Sequence, residues 1–159
     1  MDQSNPHTSR RGGIYYGLAM LVTLIGLADA VYLTVQHLTG RGVRCTVVAG
    51  CSAVLSSRYA VIGGIPLAAL GAVAYFSAFS CATLALFGSV RARMGLRMMA
   101  AAMLGMTLWL LYVQAFVLRA FCSYCLLSAL MTFLLAVLVS LARFREAKQA
   151  PITARRAAD

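Results

Sequence analysis

Charge is the scarcest property of this chain. Only 11% of its 159 residues are charged, and 4 acidic residues stand against 14 basic ones. Proline (3) and histidine (2) are few, and there is one tryptophan. A soluble domain is nearer a quarter charged and half apolar. Here 62% of residues are hydrophobic and the mean hydropathy is +0.84. The shortage of charge excludes an ordinary soluble domain, and the wealth of apolar residues excludes a disordered chain. Short alternating segments of about 10 residues are also missing, which excludes a membrane barrel. No internal repeat or low-complexity segment stands out.

What is present is four apolar runs: Ile14 to Leu38, Ile65 to Phe87, Met98 to Leu118 and Phe121 to Leu141. Each is long enough to cross a bilayer, which takes about 20 apolar residues. The expected fold is an all-α integral membrane protein, a four-transmembrane-helix bundle. Its expected parts are an N-tail over 1–13, a membrane domain over 14–141 with spans at 14–38, 65–87, 98–118 and 121–141, and a C-tail over 142–159. Residues 1–30 also resemble a signal peptide, with Ala28-Asp29-Ala30 as a cleavage-like site. The apolar run continues through Val31, Tyr32, Leu33 and Val35, which favours a retained span.

The net charge of +10 in a soluble protein suggests nucleic acid. On a membrane protein it sets orientation instead, so no nucleic-acid partner is expected. Ten basic residues fall in the N-tail, the C-tail and the link between spans two and three, among them Arg91, Arg93 and Arg97. Four fall on the other side: Arg41, Arg44, Arg58 and Arg119. The positive-inside rule then puts both termini in the cytoplasm, with the long first loop and the start of span four outside.

Four of the five cysteines map to that outer face, where disulfides persist: Cys45 and Cys51 in the loop, Cys122 and Cys125 at the start of span four. Cys81 sits within span two and reads as a small apolar residue. Cys122-Ser123-Tyr124-Cys125 is a C-x-x-C opening a helix. Residues three apart share a helix face with Cβ atoms about 5–6 Å apart. A disulfide needs about 3.5–4.5 Å, so a small adjustment of the first turn closes it. The free N–H groups and positive end of the helix favour thiolate, most of all at the first cysteine. As a staple the pair adds little, because its loop is so short. No histidine adjoins either pair, so no metal site is expected. A soft-metal transporter or an assembly subunit with structural disulfides is the competing, non-enzymatic reading. Cys81 alone, however, gives a metal no route across the bilayer.

A disulfide made outside the cytoplasm releases two electrons, and the lipid-soluble two-electron carrier is a quinone. One thiol pair can exchange with a soluble partner by thiol–disulfide exchange while a second, fixed at a helix top, faces a quinone. Mobile shuttle and fixed reactive pair are the expected roles.

Gly50-Cys51-Ser52, then Val54-Leu55-Ser56-Ser57-Arg58-Tyr59-Ala60, then Gly63, Ile65-Pro66-Leu67, Gly71 and Tyr75, and finally Phe121-Cys122-x-x-Cys125, together resemble the vitamin K epoxide reductase family, bacterial branch. The disulfide bond formation protein B also has four spans and a quinone, but its C-x-x-C lies in the first outer loop. The resemblance covers about residues 14–141 and implies a quinone-dependent thiol oxidoreductase that generates disulfides in the bacterial inner membrane. It implies that Cys45 meets a thioredoxin-like partner, that Cys51 attacks Cys122, and that Cys125 faces the quinone, of menaquinone, ubiquinone or vitamin K type. It implies a short interfacial helix near Val54–Ile62, resting on membrane lipid. Leu55, Ser56, Ser57, Tyr59, Leu70, Leu110 and Leu118 are the implied quinone neighbours. The animal members carry polar contacts where this chain has Leu67 and Ala129, so epoxide reduction is not expected by analogy. The chain ends about 18 residues after span four. A fused thioredoxin-like domain is therefore not expected, and the partner is taken to be a separate periplasmic protein.

Asp29 is the one acid inside a span. An ionised acid at the bilayer centre costs at least about 2.5–3.5 kcal/mol. The expected solution is a position near the outer end that reaches water; the sharper one is a polar partner in the bundle or a proton path to the quinone. His37 reads as an interfacial residue, and Trp109, Tyr112 and Phe116 as packing or lipid contacts.

Overall fold

The computed structural model describes residues 6–39, 54, 57 and 60–156. Its element order is α1 (Pro6–Leu38), β1 (Val61–Ile62), β2 (Ile65–Pro66), α2 (Leu67–Leu86), α3 (Val90–Tyr112, continued as a wider π-helical turn over Val113–Leu118) and α4 (Ser123–Arg156). Four stretches are long and apolar enough to cross a membrane: Gly13–Leu38, Leu67–Leu86, Val90–Leu118 and Ser123–Ala147. The chain is a four-helix bundle and a multi-pass membrane protein. α1 packs on α2 and α4, and α3 closes the ring against the same two helices.

Small side chains decide which helix faces meet. α2 buries Tyr75, Ala78, Ala82 and Ala85, and α3 buries Ala92, Leu96, Ala100 and Met103. Both sets recur at three- and four-residue steps, the spacing of one helix face. In lipid there is no hydrophobic force between helices, so close approach through small residues is what holds them. Large residues such as Phe76, Leu108 and Phe133 are exposed on the outer faces, where lipid lies.

Gly26 marks the closest crossing. A Cβ there would fall under 3.0 Å from three ring carbons of Tyr75. Its absence lets the Tyr75 ring cross α1 and reach α4. The Tyr75 hydroxyl donates to the Ser128 carbonyl (2.8 Å) and lies 3.0 Å from Ser128 Oγ and 2.9 Å from Thr132 Oγ1. One side chain thereby ties three helices.

α1 begins before the first apolar run, at Pro6, and α4 continues past the fourth to Arg156; two inner boundaries differ as well. The second run begins at Ile65, but Ile65 and Pro66 pair antiparallel with Ile62 and Val61. Gly63 and Gly64 turn the hairpin with φ of 60° and 84°, the positive values a tight two-residue loop demands. The third run begins at Met98, but α3 starts at Val90. Ser89 caps it, accepting the Ala92 N–H at 3.4 Å. Arg91, Arg93 and Arg97, expected in a link, are therefore helical. Arg93 and Arg97, one turn apart, both bind Glu146 of α4, at 2.9 and 2.6 Å. The Tyr16 hydroxyl donates to the same carboxylate at 2.9 Å.

Candidate functional site

Cys122 sits at the cap position of α4, its carbonyl accepting the Leu126 N–H at 3.0 Å. It holds the position at which serine or aspartate is preferred at an ordinary helix start. The thiol is lowered from its ordinary 9.0 to about 6. The Cys125 thiol, hydrogen-bonding to it, is the largest cause; the backbone N–H groups of Cys125 and Tyr124 add to it, and burial opposes it. Cys122 is wholly buried, whereas Cys125 is partly so.

The preceding segment sets where that cap stands. After the π-helical turn, Arg119 adopts a left-handed conformation (φ 48°, ψ 33°), alone among the described non-glycine residues. The Gln114 carbonyl accepts the Ala120 N–H at 3.2 Å, and its side-chain Oε1 accepts the Cys122 N–H at 3.2 Å. Gln114 is thus bonded twice to the link and fixes the first residue of the C-x-x-C. A π-turn and a left-handed non-glycine residue each cost free energy, and such features gather at functional sites.

Below the pair lies a cavity of about 420 Å³, walled by all four helices and by Val54, Ser57 and Ala60. That is within the range of about 300–1,000 Å³ usual for small-molecule sites. Cys125 lines it, and Cys122 does not. Of the residues expected around a quinone, Ser57, Leu70, Leu110 and Leu118 line the cavity. Leu67 and Ala129 line it too, so both positions present apolar side chains to any ligand there. Cys45, Cys51, Leu55, Ser56 and Tyr59 lie outside the described residues, as does most of the expected interfacial helix. Its described members are joined by turn-type bonds, Ser57 N–H to the Val54 carbonyl (3.3 Å) and Ala60 N–H to the Ser57 carbonyl (3.0 Å).

Asp29 corrects an expectation. It does not reach water near the helix end: it is 8% exposed, lines the cavity, and its Oδ2 has no hydrogen-bond partner. His37, read as interfacial, also lines the cavity. Gln114 carried no expectation at all. Its signal was available, since a polar side chain inside an apolar run is a functional candidate by default. Cys81 stays apart from the cavity, its sulfur 3.6 Å from where a Gly95 Cβ would stand. Tyr112 and Phe116 are exposed and pack ring on ring, centroids 4.9 Å apart.

The sequence pattern of the Vitamin K epoxide reductase family matches residues 18–140, from within α1 to within α4. The chain belongs to that family. Membership carries an activity class, thiol–disulfide oxidoreductase chemistry in a membrane. Against that class, the vitamin K epoxide reductase features of this chain are a capped, acidified first cysteine and a second cysteine in the wall of an apolar chamber.

The chamber fits a flat, mostly apolar ring with polar atoms at its edge. Most of its wall is aliphatic, and its few polar groups are spread around it: Asp29 and His37 from α1, Ser57, Tyr75 from α2, Thr107 and Gln114 from α3, Ser128 and Thr132 from α4. An orphaned carboxylate oxygen in that wall is a polar group awaiting a partner.

Proposed function

We propose that the protein is a membrane thiol–quinone oxidoreductase that generates disulfides. A separate periplasmic thioredoxin-like protein in its dithiol form reduces the Cys45/Cys51 pair and leaves as a disulfide. Cys51 attacks Cys122, and a mixed disulfide carries the electrons onward. The result is Cys122 and Cys125 as thiols. Oxidation of that pair forms one S–S bond and releases two electrons and two protons, which convert a quinone to a quinol, so the cycle balances without another reductant. On this reading the protein lies in a bacterial inner membrane with both termini cytoplasmic and the four cysteines outside, as the arginine distribution favours.

The observation that carries the proposal is the division of labour within the C-x-x-C. Cys125 borders the chamber, and Cys122, on the buried side, is the better thiolate. A stabilised thiolate is also the better leaving group when Cys125 or a shuttle sulfur breaks a disulfide to it. Leu67 and Ala129 add to the case for simple quinone reduction over epoxide opening, because neither side chain can hydrogen-bond an oxygen.

The test is purified protein with a reduced thioredoxin-like donor and a short-chain quinone, followed by quinone absorbance. Wild type turns over; a Cys122→Ala, Cys125→Ala protein does not, and Cys45→Ala or Cys51→Ala stops turnover with the protein donor. Quinone reduction by the double variant would refute the mechanism.

A further inference from the structure

An unpaired carboxyl in the wall of an apolar chamber is costly, and its neighbours do nothing to relieve it. Burying a polar group without a partner costs about 1–3 kcal/mol on protein-mutation scales, and more for a charge. The Tyr75 hydroxyl, which shares the chamber wall, is committed to Ser128 and Thr132. Gln114 Oε1 is committed to the Cys122 N–H. Ser57 Oγ donates to the Val54 carbonyl at 2.7 Å. Asp29 Oδ2 alone among the described chamber side chains is buried without a partner. A second observation connects it to the chemistry: Asp29 and Cys125 line the same chamber. A buried polar group retained at such a cost calls for an explanation outside stability.

We propose that Asp29 is the catalytic acid–base of the quinone half-reaction, touching a ring oxygen of the bound acceptor and passing it a proton. This deepens the quinone-reductase reading and rests on it. The two oxygens of a quinone are pure acceptors, and the two of a quinol are donors. A carboxyl matches both forms, donating when protonated and accepting when not, and among the described chamber side chains it is the one with a buried oxygen left unpartnered. As the Cys122–Cys125 S–S bond forms, the electron pair goes to the acceptor. The Asp29 carboxyl gives its proton to one acceptor oxygen and is reprotonated by the proton leaving the Cys125 thiol. The proton lost by Cys122 balances the second oxygen. The net change is two thiols and a quinone to one disulfide and a quinol. The titratable groups around Asp29 are His37 on α1, Tyr75 on α2, and Cys122, Tyr124 and Cys125 at the head of α4; α3 lines the chamber with none.

The two half-reactions separate this role from a structural one. Oxidised protein is mixed with the reduced thioredoxin-like donor without quinone, and the single-turnover exchange is timed. Steady-state reduction of 2-methyl-1,4-naphthoquinone is then measured over a range of concentrations. For Asp29→Asn, exchange stays within twofold of wild type and KM within threefold, while kcat falls about a hundredfold, the low end of what general acid–base catalysis contributes. Asp29→Leu loses kcat as fully and raises KM. Its melting temperature in detergent is unchanged or higher, because an unpaired buried carboxyl has been removed. Should the Asn protein fail to fold, the Leu protein carries the test. The proposal is overturned if either variant keeps kcat within threefold, or if exchange falls in step with quinone reduction. A wild-type protein that exchanges thiols but never reduces the naphthoquinone sinks the underlying reading instead, and this proposal with it.

Discussion

The two ends of the bundle treat polar groups in opposite ways. At one end a single carboxylate, Glu146, is saturated: two arginines of α3 and a tyrosine of α1 converge on it. Toward the other, where Cys122 heads α4, Asp29 Oδ2 has no partner and Arg119 is left-handed. There the residue at the helix cap is a cysteine. The first arrangement is what membrane helices need to lock together. The second is what a site needs if its missing partner is a molecule that comes and goes. Stability and reactivity have been assigned to different ends of the same four helices.

Three changes probe that contrast, beginning with the largest effect. Gly26→Ala drives a methyl into the Tyr75 ring. Overpacking of this kind costs about 1–3 kcal/mol. Because Tyr75 lines the chamber, quinone turnover should fall by more than the loss of melting temperature explains. A lower melting temperature with undiminished turnover would show that the chamber does not depend on that strut.

The second change concerns Cys122. With its thiol lowered to about 6, its alkylation by iodoacetamide in the reduced protein should rise through pH 6 and level off below pH 8. Cys125→Ala removes the largest cause of that lowering, and reactivity at pH 7 should drop roughly tenfold as the thiolate fraction falls toward that of a free cysteine. The sign for stability follows. A group whose folded value lies below its unfolded one adds stability above the unfolded value and loses it as pH falls through the folded one. Reduced protein should therefore melt higher at pH 9 than at pH 6, and Cys122→Ser should flatten the difference.

Glu146→Gln should do least. Its side chain is about a third exposed, and exposed ion pairs contribute about 0–1 kcal/mol. A melting shift of a few degrees with unchanged turnover is expected; a large fall in turnover would contradict the division between the ends.

The four crossings were legible because bilayer length and hydropathy are properties of whole segments. The place of the C-x-x-C at the head of the fourth helix was legible because it opens the last apolar run. What could not be read was direction. α2 carries no charged residue, so no charged stripe says which face turns inward; size says it, through Ala78, Ala82 and Ala85. Asp29 was misplaced for the same reason: its distance along the helix was readable, but the face it shares with the chamber was not. The start of α3 was misread because arginines look like link residues until Glu146, far away in sequence, gives two of them a partner. The Gly63-Gly64 hairpin was readable from its flanking apolar pairs and was masked by the apolar run that follows.

On the proposed function, the cysteine at the head of α4 ties oxidation to the helix end itself. When Cys122 enters a disulfide it loses the negative charge that the Tyr124 and Cys125 amides favour, so the first turn gives up its best acceptor on oxidation and recovers it on reduction. Favouring the reduced pair in this way raises its midpoint potential and makes its disulfide the stronger oxidant. If the pair cycles as proposed, a helix terminus becomes a spring that pulls electrons toward the membrane.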